Sequence, residues 1–254
     1  MQQAAKLAWY DFGLHMGESN LQKRLAVIRE RIGAAAKRSG RGADDITLIA
    51  VSKTHAADAI RAAFELGVRH FGENRVQEWE GKRSALHDLQ ADWHLVGHLQ
   101  SNKAAKAARL FHSVDSVDDF ALAQRLDRAR VELGEPRKLR VLIEVRIASQ
   151  ETKSGVARGE LVALAEQIST LNGLDLQGLM CIPPFLDDPQ KVRPYFSELR
   201  ELKENLELRL GKKLPVLSMG MSHDFEVAIE EAATEVRIGT ALFGTRALPP
   251  HPTA

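Results

Sequence analysis

Strand-like and helix-like segments alternate through this chain from residue 46 to residue 243, and no other feature of the sequence limits its fold so tightly. The first apolar run, 46–52, is followed by strand candidates at 68–72, 93–99, 110–114, 139–147, 176–182, 216–221 and 235–243. Between these eight segments the apolar residues return at helical spacing seven times. The first four stretches are marked by Ile60, Ala63 and Phe64, by Val76 and Trp79, by residues 104–108, and by Phe120, Ala123 and Leu126. The last three carry Leu161, Leu164, Ala165 and Ile168, then Phe196, Leu199, Leu202 and Leu206, then Phe225, Ala228 and Ile229. Strict β/α alternation demands parallel pairing through right-handed crossovers, which leaves a closed barrel or an open doubly wound sheet. Eight units in about 200 residues favour a single (β/α)8 barrel of the TIM type.

An extra helix precedes the barrel, because Leu21, Leu25, Ile28, Ile32 and Ala35 share one helical face and Gly40 supplies a stop. Residues 1–15 carry no clear periodicity and are expected to be a poorly structured leader or a misassigned start, with Met16 as the first true residue. The barrel domain is then expected over 16–254, with no Pro- or Ser-rich linker dividing it.

Composition narrows the function classes. Lys and Arg number 35 against 34 Asp and Glu, so no field of one sign recruits nucleic acid or a membrane surface, although local basic pockets remain open. Cys181 is the only cysteine, which excludes an internal disulfide and suits a reducing compartment. No run reaches the roughly 20 apolar residues that span a bilayer, and the expected location is cytoplasmic.

A barrel gathers the carboxyl ends of all its strands on one face. Lys53 follows the first strand, Asn74 the second, His94 lies in the third, and Ser218 and Arg237 lie in the last two. A desolvated lysine at a strand end is an amine nucleophile that can form an imine with an aldehyde; a solvated lysine closing a strand is the bland alternative. Barrels often grip phosphate in the loops after strands seven and eight, here Met219-Gly220-Met221-Ser222 and Gly239-Thr240-Ala241. Lysine and phosphate grip together suggest pyridoxal 5′-phosphate, which carries both an aldehyde and a phosphate. Ser222 is read as a helix N-cap before Asp224 and Glu226.

Arg237 alternates with Glu235 and Gly239 and is expected inside the barrel, either ion-paired with a carboxylate such as Glu144 or facing a ring nitrogen. His94 and His98 lie roughly 13 Å apart along a strand, too far to share a metal, and no metal site is expected. His94 is read either as lining the cofactor cavity or as a hydrogen-bonded core histidine. Lys153, in Thr152-Lys153-Ser154-Gly155, is the rival to Lys53.

Five ordered motifs resemble the pyridoxal phosphate homeostasis protein family: Ala50-Val51-Ser52-Lys53-Thr54, Phe71-Gly72-Glu73-Asn74, the run from Trp93 to Gln100, the run from Leu217 to Ser222, and the run from Val236 to Gly244. The resemblance extends from about Met16 to Arg246. It implies a barrel like the alanine racemase amino-terminal domain, with Lys53 forming the imine. Ser218, Gly239 and Thr240 would hold the phosphate, and Arg237 would meet the ring nitrogen. Val51, Asn74, His94 and Met219 would lie near the cofactor. Family members are viewed as carriers or regulators of vitamin B6 that support amino-acid and keto-acid balance, with apo-enzymes as possible recipients and no robust reaction attached. A self-contained barrel allows a monomer. Two departures from the family pattern stand out: Arg146 where asparagine is more frequent, and the turn Glu231-Ala232-Ala233-Thr234, where a glycine is usual at Ala232 or nearby.

The alternative is a small amino-acid racemase with Lys53 as one base. Racemisation needs a second acid/base on the opposite face. Relatives with that activity take a tyrosine from a further β domain, whereas this chain offers only Tyr10 and Tyr195. A cofactor-free lysine aldolase acting on a sugar phosphate would leave Arg237 without a role.

Overall fold

The structure, a computed structural model, describes residues 2–148 and 154–244, with side chains from Asn20 onward. Its elements follow one another as α1 (Gln2–Arg38), β1 (Thr47–Val51), α2 (Ala57–Glu65), β2 (His70–Glu73), α3 (Val76–Lys82), β3 (Asp92–Leu95) and α4 (Ala104–Leu110). The second half continues with β4 (Ser113–Val117), α5 (Phe120–Glu132), β5 (Leu139–Glu144), α6 (Leu161–Ser169), β6 (Leu174–Met180), α7 (Arg193–Leu210), β7 (Val216–Ser218), α8 (Phe225–Glu230), β8 (Glu235–Ile238) and α9 (Thr240–Phe243). All eight strands pair in parallel in sequence order, and β8 returns to β1 through the register Ile49 to Arg237, closing the barrel.

The main apolar core lies between the barrel and its helices. Trp79 of α3 stacks on Trp93 of β3 with ring centroids 3.7 Å apart, and its indole N–H donates to the Leu110 carbonyl at 3.1 Å. That contact satisfies the one polar atom of a fully buried ring. The α1 stripe Leu21, Leu25, Ile28, Ile32 and Ala35 is buried as its spacing requires. Arg31 to Glu226 and Arg38 to Glu230, each at 2.7 Å, tie α1 to α8 at the closing seam.

Several boundaries differ from the sequence expectation. The leader over 1–15 has helical backbone from Gln2 onward; Gln2, Gln3, Ala4, Ala5, Lys6 and Leu7 are strong helix formers, so propensity rather than an apolar stripe accounts for it. The fourth strand starts at Ser113, not residue 110, because Leu110 ends α4 and the strand buries Ser113, Asp115 and Ser116, which an apolar search passes over. The third strand stops at Leu95. The eighth stops at Ile238, and Thr240–Phe243 turns into α9.

Ala232 sits at φ 75° in the turn leading into β8. An L-residue pays steric energy there that glycine avoids, while glycine loses more chain entropy on folding. The balance predicts that Ala232→Gly stabilises the fold by about 1 kcal/mol, a rise of roughly 2–4 °C in a thermal melt. A lowered melting temperature would contradict this account of the turn.

Candidate functional site

The carboxyl ends of β1, β2, β7 and β8 carry the groups that can hold a cofactor. Lys53 lies two residues past the end of β1 and is half-buried. The peptides on both sides of it are fixed from α3. The Lys82 ammonium donates to the Ser52 carbonyl at 3.0 Å, and the Glu78 carboxylate accepts from the Thr54 N–H. Lys82 and Glu78, one helical turn apart, pair with each other at 2.7 Å. Thr54 is held at φ 65°, an uncommon conformation for a β-branched residue, so the chain bends sharply just after the lysine.

Beneath this bend lies Glu73, the last residue of β2, fully buried. It accepts from the Ser52 hydroxyl at 2.6 Å and from Lys82 at 3.1 Å. Burial pushes its carboxyl above the usual range, against the opposing pull of the Ser52 hydrogen bond and the Lys82 charge. Sequence reading quoted Glu73 only as part of a motif and missed Glu78 and Lys82. Their i,i+4 spacing was the visible signal of an ion pair.

Arg237 faces the barrel interior, as its alternation with Glu235 and Gly239 required. Among the described residues its guanidinium donates to the Ser218 hydroxyl at 2.9 Å and to the Cys181 carbonyl at 2.8 Å, rather than pairing with Glu144. Glu144 has its carboxyl raised by burial and by Asp118, with Arg237 opposing. The Cys181 thiol, wholly enclosed, is pushed up to about 12, which makes it a buried hydrophobe and not a nucleophile. Because Ser218 accepts from Arg237, its own O–H remains a donor for a ligand oxygen.

Gly239 caps α9, and Thr240, exposed, opens it. A Cβ on Gly239 would stand 3.2 Å from the Val51 carbonyl oxygen, so glycine lets the end of β8 close onto the end of β1 beside Lys53. Asn74 follows β2 and packs its backbone against Gly97, where a Cβ would lie 2.4 Å from the Asn74 oxygen. Lys53, Val51, Asn74, Ser218, Arg237, Gly239 and Thr240 therefore belong to the carboxyl ends of neighbouring strands.

Three sequence expectations need correction. Met219 is buried in the core between barrel and helices, and its N–H donates to the Glu235 carbonyl at 3.1 Å. Ser222 does not cap α8; Asp224 holds that position, and the Ser222 hydroxyl accepts from Ala241 N at 3.2 Å, linking the loop after β7 to α9. His94 is the hydrogen-bonded core histidine of its two readings. Its ring contacts Asp115 at 3.2 Å and His70 at 3.1 Å, in a buried cluster with Glu235, the first residue of β8. Arg140 reaches across the barrel to Glu235. Burial would raise Asp115, but His94 and Arg140 hold it below the usual range. Lys153 lies outside the described residues.

The residues present fit pyridoxal phosphate. The lysine stands at a strand end, the glycine leaves a space that a Cβ would fill, a hydroxyl keeps a proton to donate, and the arginine can only donate. Residues 24–247 match the family model of the alanine racemase N-terminal domain. The chain is 44% identical over 227 residues to the pyridoxal phosphate homeostasis protein of Aquifex aeolicus, covering 89% of this chain and 99% of that one. It is 46% identical over 228 residues to the protein of the same name from Pseudomonas aeruginosa, covering 90% and 96%. A solved structure of PipY from Synechococcus elongatus with PLP bound superposes with a TM-score of 0.78 at 40% identity, covering 88% of this chain and all of that one. Alanine racemase of Clostridium difficile shares the fold, at 19% identity and a TM-score of 0.66. By sequence and by barrel alike, the chain belongs to the alanine racemase N-terminal domain family and, within it, to the pyridoxal phosphate homeostasis proteins.

Proposed function

We propose that this protein holds pyridoxal 5′-phosphate covalently on Lys53 and buffers or passes on the cofactor without robust turnover of its own. The observation that carries this reading is the joint placement of Lys53, Ser218, Arg237 and Gly239 at the carboxyl ends of β1, β7 and β8. When bound, the cofactor supplies an aldehyde for the Lys53 amine. Ser218 and Thr240 offer hydroxyls to its phosphate, and Gly239 admits the anion close to the backbone.

Arg237 decides the chemistry. Its guanidinium stays protonated and is fixed by Ser218 and the Cys181 carbonyl, so it presents only N–H donors. A ring nitrogen beside it must accept, and an unprotonated ring is a weak electron sink. Racemisation also needs a second acid/base. Tyr195 is packed against the core on α7, and His94 is bonded to Asp115 and His70. These placements support holding over turnover.

The test is an absorbance spectrum of the purified protein between about 300 and 500 nm, where lysine-bound pyridoxal absorbs, before and after borohydride, with peptide mapping of the reduced adduct. A band that bleaches and maps to Lys53 is expected. No band after addition of pyridoxal phosphate would defeat this reading and the racemase alternative together.

A further inference from the structure

The amino-terminal face of the barrel, opposite Lys53, holds a groove of about 560 Å³ that the proposed function does not use. Arg69, Arg83, Arg109, Arg130, Arg137 and Lys138 line it, against the two carboxylates of Asp92 and Glu135. In a chain of net charge +1 this is a marked local excess. Arg83 and Arg109 also wall an adjoining recess of about 520 Å³ with Lys106.

The pairing within the groove is uneven. Arg130 is fixed: it donates to the carbonyls of Ala108 and Arg137 at 3.1 and 3.0 Å and pairs with Glu135 at 2.7 Å. Arg69 donates to the carbonyls of Phe64 and Val68. Arg83, Arg109, Arg137 and Lys138 form no ion pair with a carboxylate among the described residues. His112 accepts from Trp93 N through Nδ1 at 3.0 Å. Burial, with the nearby charges of Arg137 and Arg130, holds that imidazole below its usual range against the pull of Asp92. It is therefore neutral at pH 7, and Nε2 carries its proton as a donor.

We infer that this groove binds a small metabolite bearing a polyphosphate. Four cations without carboxylate partners among the described residues line one concavity, and a ligand carrying several negative charges would relieve their mutual repulsion. Arginine forks match phosphate oxygens in pairs, and the groove volume falls in the usual range for a small-molecule site. The site lies at the end of the barrel remote from Lys53, so both can be filled at once.

Inorganic tripolyphosphate is the probe. Calorimetric titration of the full chain, before and after saturation with pyridoxal phosphate, is expected to show one saturable site in both states, weakened several-fold by added salt. The combined variant Arg83→Gln, Arg109→Gln, Arg137→Gln is expected to lose about tenfold or more in affinity, since charge-assisted hydrogen bonds are the strong ones. These three side chains are exposed, and the variant should keep the wild-type melt and borohydride-trappable pyridoxal. Binding that disappears on adding pyridoxal phosphate would place the anion at the cofactor end and overturn the inference. So would wild-type affinity in the triple variant, or no saturable binding at all. Failure of the Lys53 reading would show instead as a missing absorbance band with the tripolyphosphate result intact.

Discussion

Lys53→Ala is expected to abolish borohydride-trappable pyridoxal while leaving a folded barrel. The substitution removes the only reactive atom at this position. Lys53 lies after the last residue of β1, outside the strand ladder, and the backbone contacts around it belong to Ser52 and Thr54. Removing a half-buried side chain that leaves the core untouched changes stability by about 0.5–1 kcal/mol, within a few degrees of the wild-type melt. Lys82 is no substitute, although it stands close by: its side-chain nitrogen is held by Ser52 O, Glu73 and Glu78. Phosphate and ring contacts would survive the change, so a weak, dialysable association with pyridoxal phosphate is expected to remain. Trapped pyridoxal at wild-type level would move the attachment to another lysine, with Lys153 the first to map.

The barrel was legible because its β/α period is a property of the chain itself, and eight apolar runs with seven helical stripes admit few topologies. Boundaries failed where burial and polarity part company. β4 buries Ser113, Asp115 and Ser116 inside the barrel, and an apolar scan therefore slid toward Leu110. The residues of α9 are apolar and look like a continuing strand, because the turn that stops β8 at Ile238 leaves no mark in hydrophobicity.

At the site, Lys53, Ser218, Arg237 and Gly239 were legible from strand ends and alternation, which fix position and direction. Partners were not. Of the two readings for Arg237, an ion pair such as that with Glu144 is not the one formed; its guanidinium meets Ser218 and a backbone carbonyl, an acceptor no side-chain pattern discloses. His94 shows a second limit: alternation says that a residue points inward but not which layer of the interior it reaches. Contact with Asp115 and His70, in the layer that begins β8, settles that.

The second large effect is expected at Lys82, which no reading of the sequence singled out. Lys82→Met removes the charge that faces the wholly buried Glu73 and the donor that holds the Ser52 carbonyl. Breaking a buried ion pair by deleting one partner costs about 3–5 kcal/mol, because the remaining carboxylate is left in a poor medium for charge. The loss carries a pH signature. Glu73 already has its carboxyl raised by burial, and without Lys82 it rises further. A carboxyl raised in the folded state binds more protons there than in the unfolded chain, so stability falls as pH climbs from the unfolded value toward the folded one. The deficit of Lys82→Met should therefore be largest at neutral pH and shrink as pH falls toward the ordinary carboxylate value near 4.5, where a protonated Glu73 needs no counter-charge. Glu73→Gln in the same background should recover part of the stability at pH 7, since it removes the stranded charge and keeps an acceptor for the Ser52 hydroxyl. Lys53 reports the positional consequence. With Ser52 released and Glu78 unpaired, the bend at Thr54 loses two of its supports, and covalent capture of pyridoxal phosphate by the folded double variant should be slower than wild type. A pH-independent deficit, or double-variant capture at the wild-type rate, would show that α3 braces the core without positioning the lysine.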